Sequence, residues 1–239
     1  GMTHDVTTLA VALVAVRLND AAYRKKAADA LMSVIGTEFS PPTTVPVADI
    51  GRNLVSYVIA ADLVDLDGYD AAMGQRFRTW LPTLLTMRTT YTMEELADQR
   101  ASNVGMFSQA SRLAVHRYLG DTARIAHDAR VFKGWLGDPT AYRGFVMPSD
   151  GAGGWPVPLP SDPTMIPWIA PVGGINTILN RNIDGALVEE MKRGGAISWP
   201  PVPTNYPWAG YSGVIVTAEL LYRAGYTDVR PRYGATATI

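Results

Sequence analysis

A chain of 239 residues, 47% of them hydrophobic, carries enough apolar surface for one large domain or two small ones, with a sizeable core. Its net charge of -1 gives no general attraction to nucleic acid or to an anionic membrane surface. The absence of cysteine excludes disulfides and thiolate metal sites, and three scattered histidines (His4, His116, His127) make no histidine-rich metal centre, so no metal or other cofactor is expected.

The most apolar run, TTLAVALVAVRL, falls short of the roughly 20 apolar residues that a membrane span needs. No signal peptide is visible, and Gly1 ahead of Met2 reads as an expression remnant. If a targeting segment has been removed, the expected compartment is periplasmic or extracellular.

From the N-terminus onward, three places follow one pattern. VRLNDAAYRKKA turns at Asp20, DLVDLDGYDAAMGQRF turns around Asp70, and RYLGDTARIAHDA turns at Asp121. In each, an apolar helical run meets a short turn of Asn, Asp or Gly, and an Asp suited to capping the next helix follows. The interval is about fifty residues, the length of a helical hairpin and its return connection. YRAGYTD, ending at Asp228, resembles a fourth such turn.

Helical periodicity places Leu9, Leu13 and Val16 on one face, and Tyr23, Ala27 and Leu31 on another. The same spacing joins Ile50, Leu54, Val58 and Ala61, then Ile125, Ala129, Phe132 and Leu136. Val214, Ala218 and Leu221 stripe the last helix, which Gly225 is placed to end. Each stripe is expected to face the core. Repeated hairpins of this kind stack into an open solenoid or curve into a closed toroid with a central cleft.

Residues 138–210 differ. DGAGGWPVPLPSDPTMIPWIAPVGG and ISWPPVPTNYPWAGY are crowded with Pro and Gly and hold Trp155, Trp168, Trp199 and Trp208. Such a stretch is no long regular helix, and its aromatic content argues against disorder. The expectation is ordered loops laid over one end of a single all-α domain spanning residues 1–239.

SNVGMFSQASRLAVHRYLGD resembles the segment of alginate lyase-like polysaccharide lyases in which asparagines are followed by small and aromatic residues and a helix ending Tyr-x-Gly-Asp. DGALVEEMKRGGAISW and the later YSGVIVTAELLYRAGY resemble that family's second segment, where an acidic residue and an Arg-Gly precede a tyrosine and an Ala-Glu helix. IGRNLVSYVIAADLVDL is similar to its earlier inner helix, so the resemblance touches most of residues 5–228.

The resemblance implies an (α/α) toroid that cleaves a uronate-containing acidic polysaccharide by β-elimination. Asn103 matches the family's asparagine and Arg193 its arginine. Together they would neutralise the uronate carboxylate and stabilise the enolate-like intermediate, as an oxyanion hole does. The tyrosine that serves as base and acid is Tyr206 or Tyr211: strict register from Arg193 falls on Pro200, whereas counting back from Ala218-Glu219 gives Tyr206. Val104 stands where the family often has a histidine.

Arg52 and Asn53 would line the cleft, and Trp155, Trp168, Trp199 and Trp208 would stack on sugar faces.

Other roles remain open for the same residues. Asn103 suits a helix cap, and Arg193 suits an ion pair with Glu189 or Glu190 on a helix face. Tyr206 can pack on proline, Arg52 can be structural, and tryptophans among prolines can form loop core. A free phenol has a pKa of about 10, so a tyrosine base needs a neighbouring cation such as Arg193.

Two further functions compete with the lyase: a non-catalytic carbohydrate-binding or structural module on the same scaffold, and a glycoside hydrolase using two carboxylates, for which Asp62 and Asp65 share a helix face.

Overall fold

The structure is a computed structural model that describes residues 3–39, 46–136, 138, 140–145, 175–176, 181–182, 190, 200 and 202–229. It is all-α: nine α-helices carry the described chain, beside one 3-10 turn and a two-residue antiparallel pair, Ile175–Asn176 with Arg181–Asn182. Among the described residues no helix is long and apolar enough to cross a membrane, and no cluster of metal-ligating side chains occurs.

The helices belong to two compact units, residues 1–96 with 108–122 and residues 97–107 with 123–239. The first unit contains α1 (His4–Leu18), α2 (Ala21–Val34), the turn Thr37–Phe39, α3 (Val47–Leu63), the single turn α4 (Leu66–Tyr69) and α5 (Ala71–Thr86). Two helices are divided between the units, α6 (Met93–Gln99) and α7 (Asn103–Leu119). The second unit adds nearly all of α8 (Thr122–Trp135) and α9 (Tyr206–Arg223).

The expected turns have a common physical basis. Asn19, Gly120 and Gly225 each adopt a left-handed backbone after a helix. In each case the next amide bonds a carbonyl five residues back: Asp20 to Ala15, Asp121 to His116, Tyr226 to Leu221. This closes the orphan carbonyls of the helix end and reverses the chain. Asp20 then caps α2 through the amides of Ala22 and Tyr23, and Asp70 caps α5 through those of Ala72 and Met73. Each such cap contributes about 1 kcal/mol. The turn near Asp70 is more elaborate than its spacing suggested, because α4 interrupts it and begins at Asp65, itself left-handed.

In the first unit α1 packs on α2 and α3, and α2 also meets α5. Leu31, Leu54, Phe77, Leu81, Leu84 and Leu113 are fully buried there. The later part of α7 meets α3 at very short range: a Cβ on Gly51 would lie 2.7 Å from the Ser108 hydroxyl. One turn further along α7, the Ser111 hydroxyl donates to the Gly51 carbonyl at 2.6 Å and accepts from the Val55 amide at 2.9 Å. A side chain of α7 thus engages two groups that a regular helix joins directly, which ties α3 and α7 together by both packing and hydrogen bonding.

One predicted face is reversed. Leu13 and Val16 are 51% and 52% exposed, while Asp5, Thr8, Ala12 and Ala15 turn inward. Helix α1 has no distinctly polar face opposite its large residues, so periodicity finds that stripe without fixing which side is buried. The small residues let α1 approach α2 and α3 closely. The stripes of α3 and α9 face inward as expected, with Leu54, Val58, Ala61, Val214, Ala218 and Leu221 buried.

Candidate functional site

The start of α7 lies in the second unit and is held from several directions. Trp135 of α8 donates its indole N–H to the Ala101 carbonyl at 3.3 Å, and the Tyr142 hydroxyl donates to the Asp98 carbonyl at 2.9 Å. The Asp98 carboxylate lies 2.9 Å from Nε2 of His127, also on α8. The segment leading into Asn103 is therefore anchored by three side chains before the helix begins.

Asn103 is the first residue of α7 and only 2% exposed. Its backbone N–H donates to Oε1 of buried Glu190 at 2.7 Å, a contact spanning 87 positions of sequence. A carboxylate there sits on the positive end of a 17-residue helix, where the exposed backbone amides favour negative charge. The side-chain amide of Asn103 behaves differently. Its Oδ1 is buried without a hydrogen-bond partner. An acceptor left in that state costs about 1–3 kcal/mol, and it is one of several such buried polar atoms among the described residues.

Helix α9 reaches the same first turns of α7. A Cβ on Gly213 would fall 2.5 Å from the Met106 carbonyl carbon and 2.6 Å from the Phe107 nitrogen, so only glycine permits this approach. Tyr206 and Tyr211 both belong to α9, Tyr206 exposed at its first position and Tyr211 half-buried. Trp208 is 70% exposed, and its ring centroid lies 6.5 Å from that of Tyr211.

Tyr206 and Trp208 are helical rather than part of a loop, a correction to the expected 138–210 loop stretch. Proline is tolerated in the first turn of a helix because the amide it lacks has no intrahelical partner, so Pro207 starts α9 where it was read as breaking structure.

Asn103, Tyr206 and Tyr211 thus occur in one unit, on two helices in direct contact. Arg193, Trp155, Trp168 and Trp199 lie outside the described residues. Arg52 and Asn53 belong to the first unit, where Arg52 pairs with Asp49 at 3.3 Å and Asn53 lines a pocket. Asp65, half of the candidate hydrolase pair, caps α4 through the Gly68 amide and lies 3.5 Å from Arg24. His116 is buried.

Glu190 was read only as an ion-pair partner for Arg193. The signal for a larger role was present, since the resemblance places an acidic residue just before its Arg-Gly. Comparison with protein families, with curated proteins and with solved structures gave no match.

Proposed function

We infer that the protein is a polysaccharide lyase-like enzyme acting on a uronate-containing glycan, its helical hairpins arranged as an (α/α) toroid. The observation that carries this reading is the contact between Asn103 and Glu190. It joins the two segments that the sequence resemblance assigns to one site, although 87 positions separate them. Arg193 follows Glu190 by three residues, and a chain of that length spans at most about 11 Å. In this reading the Arg193 guanidinium acts with the Asn103 amide on one carboxylate.

The chemistry divides among these groups. The uronate carboxylate is received by the Asn103 amide and the Arg193 guanidinium, which offset the negative charge that grows as the C5 proton leaves. A tyrosine of α9, Tyr206 or Tyr211, takes that proton. The electron pair forms the C4–C5 double bond, the bond from C4 to the glycosidic oxygen breaks, and a phenol returns a proton to the departing oxygen. The orphan Oδ1 of Asn103 supports the reading from another side, since a sugar hydroxyl would satisfy it.

One observation favours a second reading, glycan binding without turnover. Val104 replaces a residue type that would serve as base, while exposed Trp208 beside half-buried Tyr211 offers an aromatic surface suited to a sugar face.

The test is incubation with a panel of acidic polysaccharides while following ultraviolet absorbance of the unsaturated product. The lyase reading expects turnover that falls at least about a hundredfold in Asn103→Ala and in Arg193→Ala, the loss typical of an oxyanion donor. Turnover that survives both substitutions removes these assignments. Saturable binding without product, lost in Trp208→Ala, replaces the enzyme with the binding module.

A further inference from the structure

A pocket of about 140 Å³ lies within the first unit, between the Thr37–Phe39 turn, α3 and α5. Its polar lining comes from Thr37, Glu38, Asp49, Asn53, Tyr57 and Trp80. Glu38 is the group that requires explanation. It is 6% exposed, Oε1 accepts from the Trp80 indole N–H at 2.9 Å, and Oε2 accepts from the Gly36 amide at 3.0 Å. Both donors are neutral. Among the described residues no lysine, arginine or histidine pairs with this carboxylate. Removing a carboxylate from water costs several kcal/mol, and buried charges are ordinarily paired with an opposite charge.

The other walls do not supply that charge. Asp49 adds a second carboxylate, itself paired with Arg52 at 3.3 Å. The Tyr57 phenol has its pKa pushed up to about 12, chiefly by burial and secondarily by Asp5, so it lines the pocket as a neutral ring at physiological pH. Its hydroxyl lies 3.0 Å from Nδ1 of His4. Trp80 is held by its hydrogen bond to Glu38, which fixes an aromatic ring beside the buried carboxylate. Carboxylate and aromatic rings together form the environment in which ammonium ions are recognised, by charge on one side and by ring quadrupoles on the other.

We propose that this pocket binds a small organic ammonium ion, with Glu38 as its counter-charge and Trp80 and Tyr57 as its aromatic walls. The volume suits an ammonium bearing a few small substituents. An anionic sugar would be repelled by Glu38 and Asp49. The site is therefore independent of the glycan reading and belongs to a different ligand class.

Calorimetric titration of the full chain with choline, with tetramethylammonium and with 3,3-dimethylbutan-1-ol, the uncharged carbon counterpart of choline, tests this. The cations are expected to bind saturably, and the neutral counterpart about tenfold or more weakly. Glu38→Gln should weaken choline by about tenfold or more, and the exposed change Asp49→Asn by a smaller factor in the same direction. The choline–alcohol comparison needs no variant, so it decides the matter even if Glu38→Gln fails to fold. Equal binding of the alcohol overturns the proposal, as does absence of saturable binding by either cation.

Discussion

Helices α1 and α5 belong to the same unit, yet they solve burial in opposite ways. In α5 the large side chains Phe77, Leu81, Leu84 and Leu85 are buried, with Phe77 edge-on to Tyr118 of α7 at a centroid distance of 5.6 Å. In α1 the inward positions are small or polar, Asp5, Thr8, Ala12 and Ala15, and the large residues look outward. One helix contributes volume to the core, and the other contributes closeness of approach. The lesson is that an apolar stripe predicts a buried face only where the opposite face is polar.

The largest effect that would sharpen this contrast is at Phe77. Phe77→Ala should cost about 3–5 kcal/mol, the range for emptying a fully buried aromatic site, read as a shifted midpoint in denaturant unfolding. A loss below about 1 kcal/mol would mean the site collapses freely and would break the comparison. Ala12→Leu should come next. Ala12 is wholly buried, so added methyl groups are expected to destabilise by about 1–3 kcal/mol through overpacking. A gain in stability there would place a void behind α1.

Two phenols report on the same two helices under alkali. Tyr57 lies against His4 of α1, and Tyr118 against Phe77 of α5. Both have pKa values raised to about 12, first by burial, then by Asp5 for Tyr57 and by Asp67 for Tyr118. Their contribution to stability is full below about pH 10, where folded and unfolded chains both hold the proton. It declines between about pH 10 and 12 as the unfolded chain releases the proton first. Both groups remain partly solvated, which reduces the size of the effect. Phenolate absorbance of Tyr57→Phe and Tyr118→Phe against the unaltered chain should show one late-titrating group lost in each. Titration of either phenol near pH 10 contradicts its burial.

Asp70→Ala removes both capping bonds at the start of α5 and should cost about 1 kcal/mol by the same unfolding measurement. The smallest effect belongs to the outward stripe: Leu13→Ser should change stability by no more than about 0.5 kcal/mol. A larger loss would show that something covers α1 in solution.

The caps and turns were legible before any coordinates. Left-handed Asn19, Gly120 and Gly225 are residue types that favour that backbone, and the aspartates after the first two lie in the positions their spacing predicts. Asn103 stands at a helix start, as its residue type suits, but its contact with Glu190 was not legible because 87 positions separate the two. The orientation of α1 was not legible because its two faces differ little in polarity. The start of α9 was misjudged because proline has opposite meanings inside a helix and in its first turn.

The pocket could not be read at all. It depends on Glu38 meeting Trp80 across 42 positions, and no local pattern encodes that encounter.

Gly213 has a consequence for descent as well as for packing. Where two backbones touch with no room for a methyl group, drift at that position is forbidden while surrounding residues remain free to change. Any chain that keeps the α7–α9 contact at this distance must therefore keep glycine at this place.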